Sequence, residues 1–193
     1  MSDKSKNKSR CFWTGDDPLM IAYHDDEWGY PVHDDWKLFE YLILDAFQAG
    51  LSWRTILHKR ENFRAAFDNF DAAKIAKYGD GDIERLLNDA GIVRNRLKIH
   101  AAINNAQRFL EVQKEFGSFD RYIWQFTEYK TLRNPKGVTK ESMPVSTPES
   151  DAMSADLKKR GFKFVGTTIC YAFMQAIGMV DDHVKGCFRH HAR

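Results

Sequence analysis

Cysteine is scarce in this sequence: Cys11, Cys170 and Cys187 are the only three in 193 residues. So low and odd a count excludes a disulfide scaffold in a chain of this size and leaves reduced thiols, free or on a metal. Long apolar runs are missing too. No stretch approaches the ~18 consecutive residues of a membrane span, and the opening "MSDKSKNKSR" lacks the hydrophobic segment of a signal peptide. A cytoplasmic protein with no membrane partner is expected. There is also little excess charge of either sign. The formal net charge is +2, and the first ten residues set Lys4, Lys6, Lys8 and Arg10 against Asp3, so the remainder is close to neutral. Overall charge gives no argument for a nucleic-acid partner; any such argument must come from local arrangement.

Alternating strand patterns are rare, while helix signals are frequent. The composition, 43% apolar and 13% aromatic, is ample for a packed core. Asp17 and Pro18 open a short helix in "DPLMIAYHDDEWG" that Gly29 closes. Asp34 caps "DWKLFEYLILDAFQAG", so broadly apolar that it reads as a central helix stopped by Gly50. Ser52 caps "WRTILHKRENFRAAF", and Asp71 opens a weaker helix through Tyr78. "DIERLLNDAGIVRNRLKIHAAINNAQRFLEVQKEF" reads as a helix, a sharp turn at Gly91, Ile92 and Val93, and a long helix to about Phe116. Ser118 opens "FDRYIWQF", residues 127–146 read as loop, and Thr147 with Pro148 starts "TPESDAMSADLKKRG". An apolar helix ending at Gly178 and a final helical turn complete an all-α architecture. The expected organisation is a disordered basic tail over 1–10, a single bilobal helical domain over 11–188, and a frayed end over 189–193.

In the last turn, "DDHVKGC" places His183 and Cys187 four residues apart, on one face if the turn is helical. Cys11 and His24 in the first segment can complete a Cys₂His₂ set, which suits Zn²⁺ and, with four protein ligands, a structural site. With seven histidines in the chain the spacing is also an ordinary coincidence. Cys170 sits on an apolar helical face and reads as a buried small residue. The glycine turn between two helices is usually a cap, yet its backbone N–H groups beside Arg94, Arg96 and Lys98 also suit a phosphate. Asp45 is a carboxylate on an otherwise apolar helix, costly to bury without donors or a cation. With Trp13, Tyr23, Trp28, Gln48 and Trp53 nearby in sequence, it suits a pocket for a flat polar or cationic heterocycle.

Taken together, "DPLMIAYHDDEWG", "QAGLSW", "DAGIVRNRLKI", "KKRGFKFVGTTICYAFMQAIG" and "DDHVKGC" resemble the 3-methyladenine DNA glycosylase I family of the helix-hairpin-helix superfamily. The likeness runs from about Arg10 to Cys187. It implies a helix-hairpin-helix glycosylase-like fold whose terminal segments are joined by structural zinc on Cys11, His24, His183 and Cys187. It also implies a base pocket with Tyr23 and Trp53 stacked on an extruded base, Trp13 close by, and Asp45 where the family has its functional glutamate. DNA contact falls on Gly91, Ile92, Val93 and Arg94. The implied activity is monofunctional excision of 3-methyladenine from alkylated double-stranded DNA by a monomer. Two other readings stand beside it: a homologue that binds lesions without cleaving, or with altered specificity, because Asp45 is one methylene short; and a zinc hydrolase, which would need an open coordination position.

Overall fold

Side-chain caps set the helix boundaries in the computed structural model, which describes residues 8–134 and 137–190. Asp17 accepts from the Leu19 and Met20 N–H groups and starts α1 (Pro18–Asp26). Asp34 and Ser52 do the same for α2 (Asp35–Gln48) and α3 (Trp53–Ala66). After α4 (Ala72–Ile75) and α5 (Asp80–Asn88), Asn95 caps the long α6 (Arg96–Phe116), which ends on a left-handed Gly117. Ser118 opens α7 (Phe119–Ile123), Thr147 opens α8 (Pro148–Lys159), and α9 (Thr167–Ala176) follows.

Three stretches depart from the sequence expectation. The helix expected from Asp71 to Tyr78 is four residues long, because Tyr78 turns back to bond Asp68 and the chain enters α5 at once. Residues 127–146 are not wholly loop: β1 (Leu132–Arg133) pairs in parallel with β2 (Val180–Asp181), and Val138 bridges to Val184. The all-α expectation is thus amended by a pair of two-residue strands, too short to carry an alternating pattern. That pairing also holds residues 180–184 extended, so His183 and Cys187 do not lie on a helix; the chain bends instead at Gly186, where φ is 84. Of the expected tail and frayed end, residues 1–7 and 191–193 lie outside the described residues. Within them, Ser9 accepts from the Phe188 N–H, Arg10 grips Asp25 through two nitrogens, and Arg189 lies 4.2 Å over the Tyr30 ring.

The core forms around α2, whose residues Leu38 to Phe47 are all buried, and which packs on α3, α6, α7 and α9. A helix apolar all round can only be central. Two charged side chains inside this core are compensated. Glu40 meets Lys37 at 2.9 Å and Arg64 at 2.7 Å. Lys98 donates from Nζ to the carbonyls of Phe47 at 2.8 Å and Ala49 at 2.6 Å, a cation on the C-terminal end of α2.

The turn after α9 is clamped on the chain after α1: Gly29 N–H donates to Gln175 O, and Val32 N–H to Ile177 O, both at 3.0 Å. At Gly178, with φ +74, a Cβ would fall 2.3 Å from the carbonyl carbon of Tyr30. Backbone-to-backbone approach this close admits no side chain. Gly178→Ala is therefore expected to destabilise the protein by about 3 kcal/mol, read as a lower urea midpoint; an unchanged midpoint would show that the contact is loose.

Candidate active site and metal cluster

Cys11, His24, His183 and Cys187 come together, all buried, with their ligand atoms within 4.8 Å of one another. Cys11 Sγ lies 3.6 Å from His183 Nδ1, and Cys187 Sγ lies 3.3 Å from His24 Nε2 and 3.7 Å from His183 Nδ1. Ligand bonds of ~2.0–2.3 Å around a tetrahedral ion require edges of about this length. Each imidazole has its other nitrogen tied, His24 Nδ1 to Asp25 at 2.8 Å and His183 Nε2 to the Trp28 carbonyl at 3.3 Å. Such bonds fix ring orientation and tautomer for a metal ligand. Backbone N–H groups of Val184 and Arg189 donate to the two sulfurs at 3.4 Å, and the Cys11 thiol with both imidazoles lowers the Cys187 thiol pKa. This buried group can hold a metal ion. Four protein ligands leave it no open position, which removes the zinc-hydrolase reading.

Against the cluster lies a cavity of about 320 Å³. Its aromatic lining is Trp13 and Trp28, which pack on the cluster's imidazoles, with Tyr23 from α1 and Trp53 from the start of α3. Tyr23 and Trp53 have ring centroids 5.2 Å apart at 44°, so they touch and form adjoining faces of the cavity. Asp45, Gln48, Ser52, Arg54 and Gln175 supply polar groups, and Met20, Met143 and Ala172 complete the lining. Met20, Met143, Ala172, Arg54 and Gln175 were missed in the sequence. Of these, Gln175 alone left a trace, as a polar residue in the apolar "TTICYAFMQAIG".

Asp45 differs from the other buried charges. It is 2% exposed, its Oδ2 has no hydrogen-bond partner among the described residues, and burial alone pushes its pKa well above the ordinary carboxylate range. Trp53 Nε1, in the same cavity, is also buried without a partner. Native interiors rarely leave such groups unmet, so two in one cavity mark a place where water or a ligand can complete the bonding.

The turn between α5 and α6 is only partly as expected. Gly91 N–H donates to Asp89 Oδ1 at 2.7 Å, and Ile92 N–H donates to Asp89 O, so neither is available to an anion. Ile92 is in the core, Val93 is half-buried, and Arg94 is exposed. The N–H groups of Val93 and Arg94 have no acceptor among the described residues. A Cβ at Gly91 would meet Asn62 at 3.1 Å, which explains the glycine by packing of the turn on α3.

A helical fold with an aromatic cavity, an unpaired acid in its wall and a tight helical hairpin defines a class of proteins that enclose a flat heterocycle. The methyladenine glycosylase family model matches residues 13–190, and the chain belongs to that family. It is 53% identical to DNA-3-methyladenine glycosylase 1 of Escherichia coli (strain K12) over 178 residues, 92% of this chain and 95% of that one. Among solved structures it resembles 3-methyladenine DNA glycosylase I (TAG) at 52% identity and a TM-score of 0.90, covering 93% of this chain and 98% of the other. The Staphylococcus aureus enzyme, solved to define 3-methyladenine recognition, is 35% identical with a TM-score of 0.89, over 93% and 95% of the two chains.

The buried acid has a signature in stability. A carboxyl whose folded pKa is raised keeps its proton in the native state above the pH at which the unfolded chain loses it. Its stabilising share is complete below roughly pH 4 and is lost as pH rises toward the folded pKa. Asp45→Asn is thus expected to raise the urea midpoint at pH 7, with the gain vanishing near pH 4. A variant less stable than the parent at pH 7 would contradict the burial account.

Proposed function

We propose that the protein is a monofunctional DNA glycosylase that hydrolyses the N-glycosidic bond of 3-methyladenine in alkylated double-stranded DNA. The observation that carries this reading is the pair of unmet buried groups, Asp45 Oδ2 and Trp53 Nε1, in one aromatic cavity. Methylation at N3 makes the purine a cation and hence a good leaving group. When its bond to C1′ breaks, the electron pair neutralises the departing base; the water oxygen bonds to C1′ and its proton passes to solvent. The protein's work is to select. Extruding a nucleotide costs a few kcal/mol of unstacking, about what aromatic contact and an ion pair with Asp45 return for a cation but not for neutral adenine.

Asp45 is the catalytic carboxylate of this reading: its ionised form, disfavoured in the free cavity, is favoured once a positive ring lies against it, its proton passing to solvent. Although one methylene shorter than the family glutamate, it still lines the cavity, and nothing in the structure favours a non-cleaving homologue. Trp53, Tyr23 and Trp13 supply the stacking surfaces. The α5–α6 hairpin acts as the helix-hairpin-helix element, with Val93 and Arg94 facing the phosphates of the duplex and Gly91 and Ile92 shaping the turn. A monomer working in the cytoplasm accords with this reading. The Cys₂His₂ group holds zinc, which when bound cross-links the two ends of the chain; the chemistry belongs to the cavity.

Base release from methylated DNA tests the proposal. The protein is expected to liberate free 3-methyladenine without nicking the strand, and Asp45→Asn to slow release about a hundredfold, while Asp45→Glu remains active. No release above background, or release unaffected in Asp45→Asn, would refute it. Elemental analysis is expected to find one zinc per chain, and Cys187→Ala to remove it and lower Tm by about 10 °C. A native protein that holds no zinc and keeps its Tm in this variant would refute the metal assignment.

A further inference from the structure

The reading of the cavity as a base site leaves one hydrogen bond unaccounted for. The exocyclic amine of an adenine-type base carries two hydrogens, and a desolvated amine needs an acceptor for each. Asp45 can take one. Trp53 Nε1 and Arg54 only donate, and Ser52 Oγ is occupied as the α3 cap, accepting from Thr55 N at 3.2 Å and sharing a hydrogen bond with Thr55 Oγ1 at 2.8 Å. The remaining amides on the wall are Gln48 and Gln175.

Only Gln175 is braced. Its Nε2 donates to Asp182 Oδ2 at 2.8 Å, and the same oxygen accepts from Tyr171 OH at 2.6 Å; Asp182 and Tyr171 are both buried. With the amide nitrogen committed to a carboxylate, the carbonyl oxygen is the group that Gln175 can offer the cavity it lines. The orientation is set from outside the cavity before any base arrives, and such preorganisation turns a flexible amide into a selective one.

We propose that Gln175, held by the Asp182–Tyr171 pair, is a specificity-determining residue: it accepts the second amine hydrogen of a 6-amino purine and disfavours a purine with oxygen at that position. The inference rests on the glycosylase reading of the cavity. Asp182→Ala gives it a direct consequence. Without the Asp182 acceptor nothing holds the Gln175 NH₂ away from the cavity, and the amide can present either its acceptor or its donor to the base.

Tryptophan fluorescence titrations of the zinc-loaded protein with free 3-methyladenine and 3-methylguanine test it. Gln175→Met is expected to weaken 3-methyladenine roughly tenfold and leave 3-methylguanine within about twofold. Asp182→Ala, with its zinc content checked because His183 is adjacent, is expected to narrow the preference for 3-methyladenine over 3-methylguanine. Equal losses for both bases, or an unchanged ratio in Gln175→Met, would overturn the inference while leaving the glycosylase reading intact. A parent protein that binds neither base would instead sink that reading, and the inference with it.

Discussion

Two tryptophans lean on two imidazoles, and the cavity depends on that wall. Trp13 meets His24 edge-on with centroids 5.3 Å apart, and Trp28 meets His183 at 4.7 Å. The imidazoles are in turn fixed by each other, by Cys11 and Cys187, and by Asp25 and the Trp28 carbonyl. Since Cys11 and His183 are 172 residues apart in sequence, the wall exists only when both ends of the chain have been gathered. Closing so long a loop carries a large entropic cost. Zinc on four ligands would meet that cost locally, and the backbone clamp at Gly178 and the short β1–β2 pairing fasten the same region by other means.

Around α2, compensated and uncompensated charge lie within a few residues of each other, and the contrast supports the proposed site. Glu40 has Lys37 and Arg64, and Lys98 has two carbonyls, while Asp45 Oδ2 has nothing among the described residues. The first two are what a stable core demands. The third weakens the fold at neutral pH, a local conflict typical of functional sites, and on the proposed reading it serves to hold a cation. Lys98 also ties the first turn of α6, next to the hairpin, to the end of the helix that carries Asp45.

Much of this was legible in the sequence because capping is local chemistry. Asp17 with Pro18, Asp34, Ser52, Ser118 and Thr147 with Pro148 mark helix starts that the structure places at those residues. Asp45 stood out as a carboxylate in an apolar helix, and the four Cys and His residues followed from ligand chemistry and the family resemblance. What was not legible depends on distant partners. The extended conformation of residues 180–184 is imposed by residues 132–138, so helical spacing of His183 and Cys187 misled. Asp89 captures the Gly91 N–H that had suggested an outward-facing anion site. Met143 reaches the cavity from a stretch without apolar period, and Gln175 gains its meaning only from Asp182, which the turn after α9 brings back beside it.

The central claim is that Asp45 is a neutral acid in the empty cavity and an anion against the bound base. Carbon-13 NMR of the Asp45 carboxyl in the selectively labelled protein reads this directly at neutral pH. The account predicts the shift of a protonated carboxyl in the free protein and that of a carboxylate when the permanently cationic 3,9-dimethyladeninium is bound. A carboxyl whose ionisation is the same in both states would contradict it.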